Sequence, residues 1–185
     1  VPVGVIDATW GGTPVEAWTS YEHANKEGDF NQYMEDVKAF DYDIDAMERE
    51  KNKAYAAWLT GNADRLCDFD KTRLQSQWPT MNTPGDWEPA IPNFDGIAWM
   101  QRSLSLPASA AGKPLKISLA ADDDEVTYFN GVKVGSTAGY GVRRIYDVPA
   151  NLVKDGENII TVVIYDGQGG GGIVGAADQL YAECD

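Results

Sequence analysis

The dipeptide Asn130-Gly131 stands between two short apolar runs, residues 126–129 and residues 132–134. A two-residue hairpin turn needs positive φ at both central positions, and Asn-Gly meets that demand at little steric cost. The predicted hairpin belongs to a series. Residues 97–106 read as a strand ended by Pro107, and residues 114–121 alternate Leu115, Ile117 and Leu119 with other side chains. Residues 144–148 and 158–166 add two more strands, and a last one is expected near residues 173–174 or 179–182. Roughly seven short strands with turn signals between them predict a β-sandwich.

Upstream the pattern changes. Residues 2–7 form a β-branched run of the kind buried on both faces of a parallel sheet. Gly11-Gly12 allows a tight turn, Thr13 can cap, and Pro14 suits the first turn of a helix beginning at Val15. This is one strand–loop–helix unit of an α/β fold. Nothing later supplies parallel partners for its strand.

Residues 30–62 carry apolar side chains at near-helical spacing, including Tyr33, Met34, Val37, Ile44, Met47, Tyr55, Trp58 and Leu59. Asp29 is the expected N-cap, Gly61-Asn62 the expected stop, and a break is expected near residues 41–45. The polar face, dense in Glu, Asp and Lys, reads as solvated. Residues 63–96 contain Pro79, Pro84, Pro89 and Pro92, which exclude a long helix. Trp78 and Trp87 in this stretch predict an ordered loop packed over a core.

Composition narrows the ligands. The formal charge is −14, which disfavours phosphate backbones and anionic membrane surfaces, since both are bound through Lys and Arg. No apolar run approaches the ~20 residues that cross a bilayer. Neutral sugars and polyols remain open. The two cysteines, Cys67 and Cys184, could pair once or stay free. The chain starts at Val1 without a leader, so a processed product or an excised piece is expected.

His23 is the only histidine, and most hydrolytic triads and metal sites need that residue. It sits in a polar stretch and reads as a surface residue. Gly135-Ser136-Thr137-Ala138-Gly139 does not match a nucleophile elbow. His23, Cys67 and Cys184 are too scattered for zinc, and no metal or cofactor is expected. Asp122-Asp123-Asp124-Glu125 offers oxygen ligands of the kind calcium takes. Strand alternation would let at most half of them converge, so a solvated strand entry is preferred. Gly167 to Gly172 formally matches GxGxxG, but no βαβ unit follows, and a bent or flexible loop at a sheet edge is expected. Sugar platforms need exposed aromatic faces. Trp99 alternates with Ile97 and reads as core; Trp87 and Tyr140 are the expected exposed candidates.

Residues 4–18, Gly-Val-Ile-Asp-Ala-Thr-Trp-Gly-Gly-Thr-Pro-Val-Glu-Ala-Trp, resemble the second conserved block of sialate O-acetylesterases, carbohydrate esterases of the SGNH hydrolase class. Residues 94–102, with Trp99 and Arg102, resemble the Trp-x-Arg-like strand in the jelly roll of β-galactosidase and β-glucuronidase type enzymes. Asp122-Asp123-Asp124, Tyr128-Phe129-Asn130-Gly131 and Gly156-Glu157-Asn158-Ile159-Ile160 extend that likeness. In the esterase family such a jelly roll is inserted after the second block.

The resemblance implies a mainly β chain with a helical segment. A partial α/β SGNH segment would span residues 1–28, a helical connector residues 29–78, and an inserted galactose-binding-like jelly roll residues 79–185. The family's catalytic serine motif and Asp-x-x-His are not found in this chain. What carries over is the oxyanion-hole backbone N–H, at Gly11 first and Gly12 second. The implied parent removes O-acetyl groups from sialic acid or a related glycan, with this chain inactive alone. The implied partners are that glycan and the rest of the SGNH domain, with no nucleic acid or membrane. The glycan role points to a periplasmic or secreted location. The alternative is a non-catalytic carbohydrate-binding or spacer module.

Overall fold

Two antiparallel sheets and one long helix are the main elements of the computed structural model, which describes residues 18–24, 26 and 31–184. The helices are α1 (Tyr21–Ala24), α2 (Asn31–Ala39) and α3 (Ile44–Asn62). The strands are β1 (Gly85–Asp86), β2 (Gly96–Leu106), β3 (Leu115–Asp122), β4 (Asp124–Phe129), β5 (Val132–Thr137), β6 (Arg143–Val148), β7 (Gly156–Asp166), β8 (Gly172–Ile173) and β9 (Tyr181–Cys184). The chain is mainly β with a helical segment, as its sequence predicts. The predicted strand and turn at residues 2–14, the helix start at 15–17 and the Asp29 cap lie outside the described residues.

Compact units divide in sequence after Glu50. In the first, α2 and α3 are separated by Asp41 and Tyr42, both at positive φ (52° and 63°). Asp43 restarts the helix, its Oδ1 accepting from the N–H of Ala46 at 2.8 Å. The expected break therefore falls at residues 40–43. Helix α3 ends at Asn62, on the predicted Gly61-Asn62 stop.

The second unit is the sandwich. One sheet has the order β2-β7-β4-β5; the other has β1-β8-β3-β6, with β9 also on β3. Both segments that competed for the last strand are strands, β8 and β9. Strand β7 lies between β2 and β4 and is buried on both faces. Its Ile160, Val162 and Ile164 face the other sheet, meeting Leu119, Ala121, Ile173 and Trp87. Its Val163 and Tyr165 face the opposite way, with Val126, Tyr128 and Trp99, and Leu59 and Ala63 cover them. A further buried cluster of Leu115, Ile117, Phe129, Val148 and Val153 fills the other end of the sandwich. Period-2 alternation on β6 and near-continuous hydrophobicity on β7 follow from one-sided and two-sided burial respectively.

The proline-rich segment is ordered, as expected. Phe69 packs edge-on against Trp78 and Trp99, at centroid distances of 4.7 and 5.2 Å. The N–H of Gln75 donates to Gln101 Oε1 at 2.9 Å. The Asn130-Gly131 turn has both residues at positive φ (48° and 82°), as a type I′ hairpin requires. Its Asn130 Nδ2 donates to Asn158 Oδ1 at 2.9 Å, and Asn158 Nδ2 donates to the carbonyls of Lys154 and Gly156.

Candidate functional site

The acid run splits three ways, because the chain changes sheets inside it. Strand β3 ends at Asp122, β4 begins at Asp124, and Asp123 makes the crossing. The 122–123 peptide is cis. Asp124 accepts from the N–H of Gly139 at 2.8 Å. Glu125 points into the sandwich. Asp122 and Asp123 converge instead with a residue from 43 positions later, Asp166, and one carboxylate oxygen from each of the three lies within 4.8 Å of the others. Two of the four acids converge, the expected half, but they are adjacent and not alternate residues, because β3 ends at Asp122.

Asp166 closes β7, in phase with the inward-facing Ile160, Val162 and Ile164, which is why it is only 1% exposed. Its Oδ1 accepts from the N–H of Gln168 at 3.1 Å, and its Oδ2 accepts no hydrogen bond. Asp123 Oδ2 accepts from the N–H of Gly167 at 3.2 Å. Among the described residues, no lysine or arginine forms an ion pair with the three carboxylates. Burial, then the neighbouring Asp123, then Asp166 and Asp86, push Asp122 up to about 7. Burial and nearby carboxylates, against the Gln168 N–H, also raise Asp166.

Gly167 to Gly172 wraps this cluster. The sequence predicts this loop at a sheet edge; instead it links β7, which lies between β2 and β4, to β8, which begins at Gly172 and lies between β1 and β3. The N–H of Trp87 donates to the carbonyl of Gly171 at 2.8 Å, and the N–H of Gly171 donates to Glu88 Oε1 at 3.2 Å. Gly171 is required by space. A Cβ there would stand 2.1 Å from Trp87 Cζ2 and 2.8 Å from Asp166 Oδ2. A second unpartnered buried oxygen, Glu88 Oε2, lies beside Gly170.

Arg144 holds this end of the sandwich together. It is buried on β6, and its guanidinium donates to four carbonyls within 3.0 Å: Ala121 and Val142 from Nη1, Asp123 and Gly139 from Nη2. Its Nε lies 3.5 Å from Glu125 Oε1. Glu125 also accepts from Thr127 Oγ1 at 2.5 Å and from the Tyr146 hydroxyl. Burial raises Glu125, and these donors and Arg144 oppose the rise.

The other expected site residues are scattered. Gly11 and Gly12 lie outside the described residues. His23 is exposed, and its Nδ1 lies 2.9 Å from Ser20 Oγ three residues earlier, a local contact at the start of a four-residue helix. Trp87 is 2% exposed, packed against Phe94 with its Nε1 donating to the Phe94 carbonyl, so the expectation of an exposed sugar platform is corrected. The loop that Trp87 belongs to folds down over the core instead of presenting it. Tyr140 is 69% exposed, as expected, between Gly139 and Gly141. Trp99 is half-buried against Phe69 and Tyr128. Cys67 and Cys184 are both free.

Sequence reading missed Asp166 and Glu88. Asp166 had a signal: two-residue parity with Ile160, Val162 and Ile164 puts it inside. Glu88 had none, since it sits in irregular chain.

No protein-family model and no curated protein matches this chain. Solved structures do. A glycosyl hydrolase family 2 member from Bacteroides cellulosilyticus is similar at 21% identity and TM-score 0.50, over 58% of this chain and 17% of that one. A β-glucuronidase from Bacteroides uniformis gives 26% identity and TM-score 0.48, over 55% of this chain and 13% of that one. A β-glucuronidase from Faecalibacterium prausnitzii gives 21% and 0.47, over 55% and 18%. The chain thus spans less than a fifth of each. The first likeness shows a shared sandwich fold.

Proposed function

We propose that this chain is the β-sandwich portion of a carbohydrate-active protein, set within an esterase of the sialate O-acetylesterase type. The reading is supported by one conjunction. A sandwich shared with a glycosyl hydrolase family 2 member follows, in the same chain, a segment resembling the second block of those esterases. In the parent, a serine outside this chain attacks the acetyl carbonyl and a histidine outside it acts as base. The backbone N–H of Gly11, with Gly12 second, holds the developing oxyanion. Residues 1–28 complete the SGNH domain, residues 29–78 connect, and residues 79–185 form the insert. The partners are an O-acetylated glycan and the rest of the SGNH domain, in a periplasmic or secreted setting.

Acetate release from O-acetylated sialic acid and O-acetylated xylan tests this. The longer gene product hydrolyses at least one, and the 185-residue chain hydrolyses neither. Hydrolysis by the short chain that is lost in His23→Ala overturns the reading, as does inactivity of the longer protein.

Tyr140 favours a second reading, a carbohydrate-binding module. Its ring is open to solvent, and Val142 and Ile145, next in sequence among the large apolar residues, are exposed at 45% and 50%. Rings so placed stack on sugar faces. Binding on a glycan array that is lost in Tyr140→Ala, with an unchanged thermal midpoint, supports it; no binding to any glycan leaves a spacer.

A further inference from the structure

We propose that Asp122, Asp123 and Asp166 form a calcium-binding site at the end of the sandwich where β3 crosses into β4. The inference is independent of the proposed function. It rests on two separate observations. The first is spacing. One oxygen from each carboxylate lies within 4.8 Å of the others, and two oxygens on opposite sides of one calcium ion stand about twice a 2.4 Å bond apart. The spacing is therefore compatible with a single calcium coordination sphere.

The second is an unpartnered oxygen. Asp166 is 1% exposed, it is a member of the cluster, and its Oδ2 accepts nothing. A buried acceptor left unpaired costs about 1–3 kcal/mol, and more when it is charged. Gly171 packs close to that oxygen, since a Cβ there would stand 2.8 Å from it. No lysine or arginine among the described residues ion-pairs with the three converging carboxylates, and a bound cation would offset their mutual repulsion.

The chemistry selects calcium. The ligands are all oxygen, which excludes the softer transition metals as the natural occupant. The sources are heterogeneous: a strand end, a crossing residue and a second strand end. Such a set suits the loose six-to-eight-fold shell of calcium better than the strict octahedron of magnesium. Two further carboxylates, Asp86 and Glu88, stand beside Gly170 of the neighbouring loop.

The test uses the whole 185-residue chain, stripped with EDTA. Calorimetric titration with calcium chloride is expected to show one ion per chain, weaker binding of magnesium, and a thermal midpoint that rises on calcium addition. Terbium is expected to luminesce on excitation of tryptophan, because Trp87 packs against the same Gly171 that meets Asp166. Asp122→Asn and Asp166→Asn are each expected to weaken calcium about tenfold or more, while Asp178→Asn, an exposed acid outside the cluster, leaves it unchanged. Should Asp166→Asn fail to fold, the half-buried Asp122 decides through its own variant. No heat and no midpoint shift up to about 10 mM calcium, beyond the weakest extracellular sites, overturns the proposal. So does an undiminished response in Asp122→Asn.

Discussion

Arg144 Nη2 donates to the carbonyl oxygen of Asp123 at 2.6 Å, and Nη1 of the same guanidinium donates to that of Ala121 at 3.0 Å. The side chain thus brackets Asp122 from the backbone side. It fixes the place where the chain leaves one sheet for the other.

Replacing Arg144 by Met should cost about 3–5 kcal/mol of stability, because it leaves Glu125 buried without its cation and strips donors from four carbonyls. Glu125→Gln should cost less, about 1–2 kcal/mol, since Gln keeps an oxygen for its donors while the Arg144 guanidinium keeps its four carbonyl partners. Urea unfolding of the two variants checks the ranking. Equal losses would mean that the guanidinium works through the ion pair and not through the carbonyls.

Asn158 is fully buried, and its Oδ1 accepts from both Asn130 Nδ2 and the N–H of Lys154. Asn158→Ala should destabilise by about 2–3 kcal/mol, because the Lys154 N–H loses its acceptor and the Lys154 and Gly156 carbonyls lose a donor. Combining it with Asn130→Ala should cost less than the sum of the two, because the residues share a bond. A double-mutant cycle in urea measures the difference; strict additivity would contradict the shared network.

Gly171→Ala should destabilise by about 2 kcal/mol or more, because its Cβ would stand 2.1 Å from the Trp87 ring. Gly169→Ala meets nothing within 4 Å, though its φ of +89° carries its own strain. Displacement of the Trp87 indole should also shift tryptophan emission in the Gly171 variant alone.

Lys71 Nζ lies 2.6 Å from Asp64 Oδ1 and 4.4 Å from the centre of the Tyr128 ring. The bond to Lys71 lowers the Asp64 pKa. The stability this adds is present above the unfolded value near 3.8 and is lost as pH falls through the lower folded value. Asp64 is largely exposed, so the loss in Asp64→Asn should be only about 0.5 kcal/mol at pH 7 and nil near pH 2. Thermal unfolding across that range reads it.

The sandwich was legible because its signals are local. Asn130-Gly131 must turn, Pro107 must end a strand, and Leu115, Ile117 and Leu119 must share a face. The helix break was legible in the run of acids around Asp41. The acid cluster was not legible as a cluster, since Asp166 meets Asp122 and Asp123 only through the pairing of β7 with β4. Trp87 was misjudged for a related reason. Its neighbours Pro84 and Pro89 mark irregular chain, but burial comes from Gly171 and Ile173, more than eighty residues away. Tyr140, flanked by glycines in a turn, needed no distant partner to be read as exposed.

Thr161 Oγ1 donates to the carbonyl of Lys71, ninety residues earlier. During synthesis the segment around Lys71 leaves the ribosome long before the strand it covers. Helix α3 rests on contacts local in sequence, while β2 and β4 have no common neighbour until β7 arrives between them. Folding of the sandwich is therefore held back until the last third of the chain has been made, and then proceeds through contacts distant in sequence, the slow class for small domains. Until that moment the apolar faces of β2 and β4 stand open to other nascent chains.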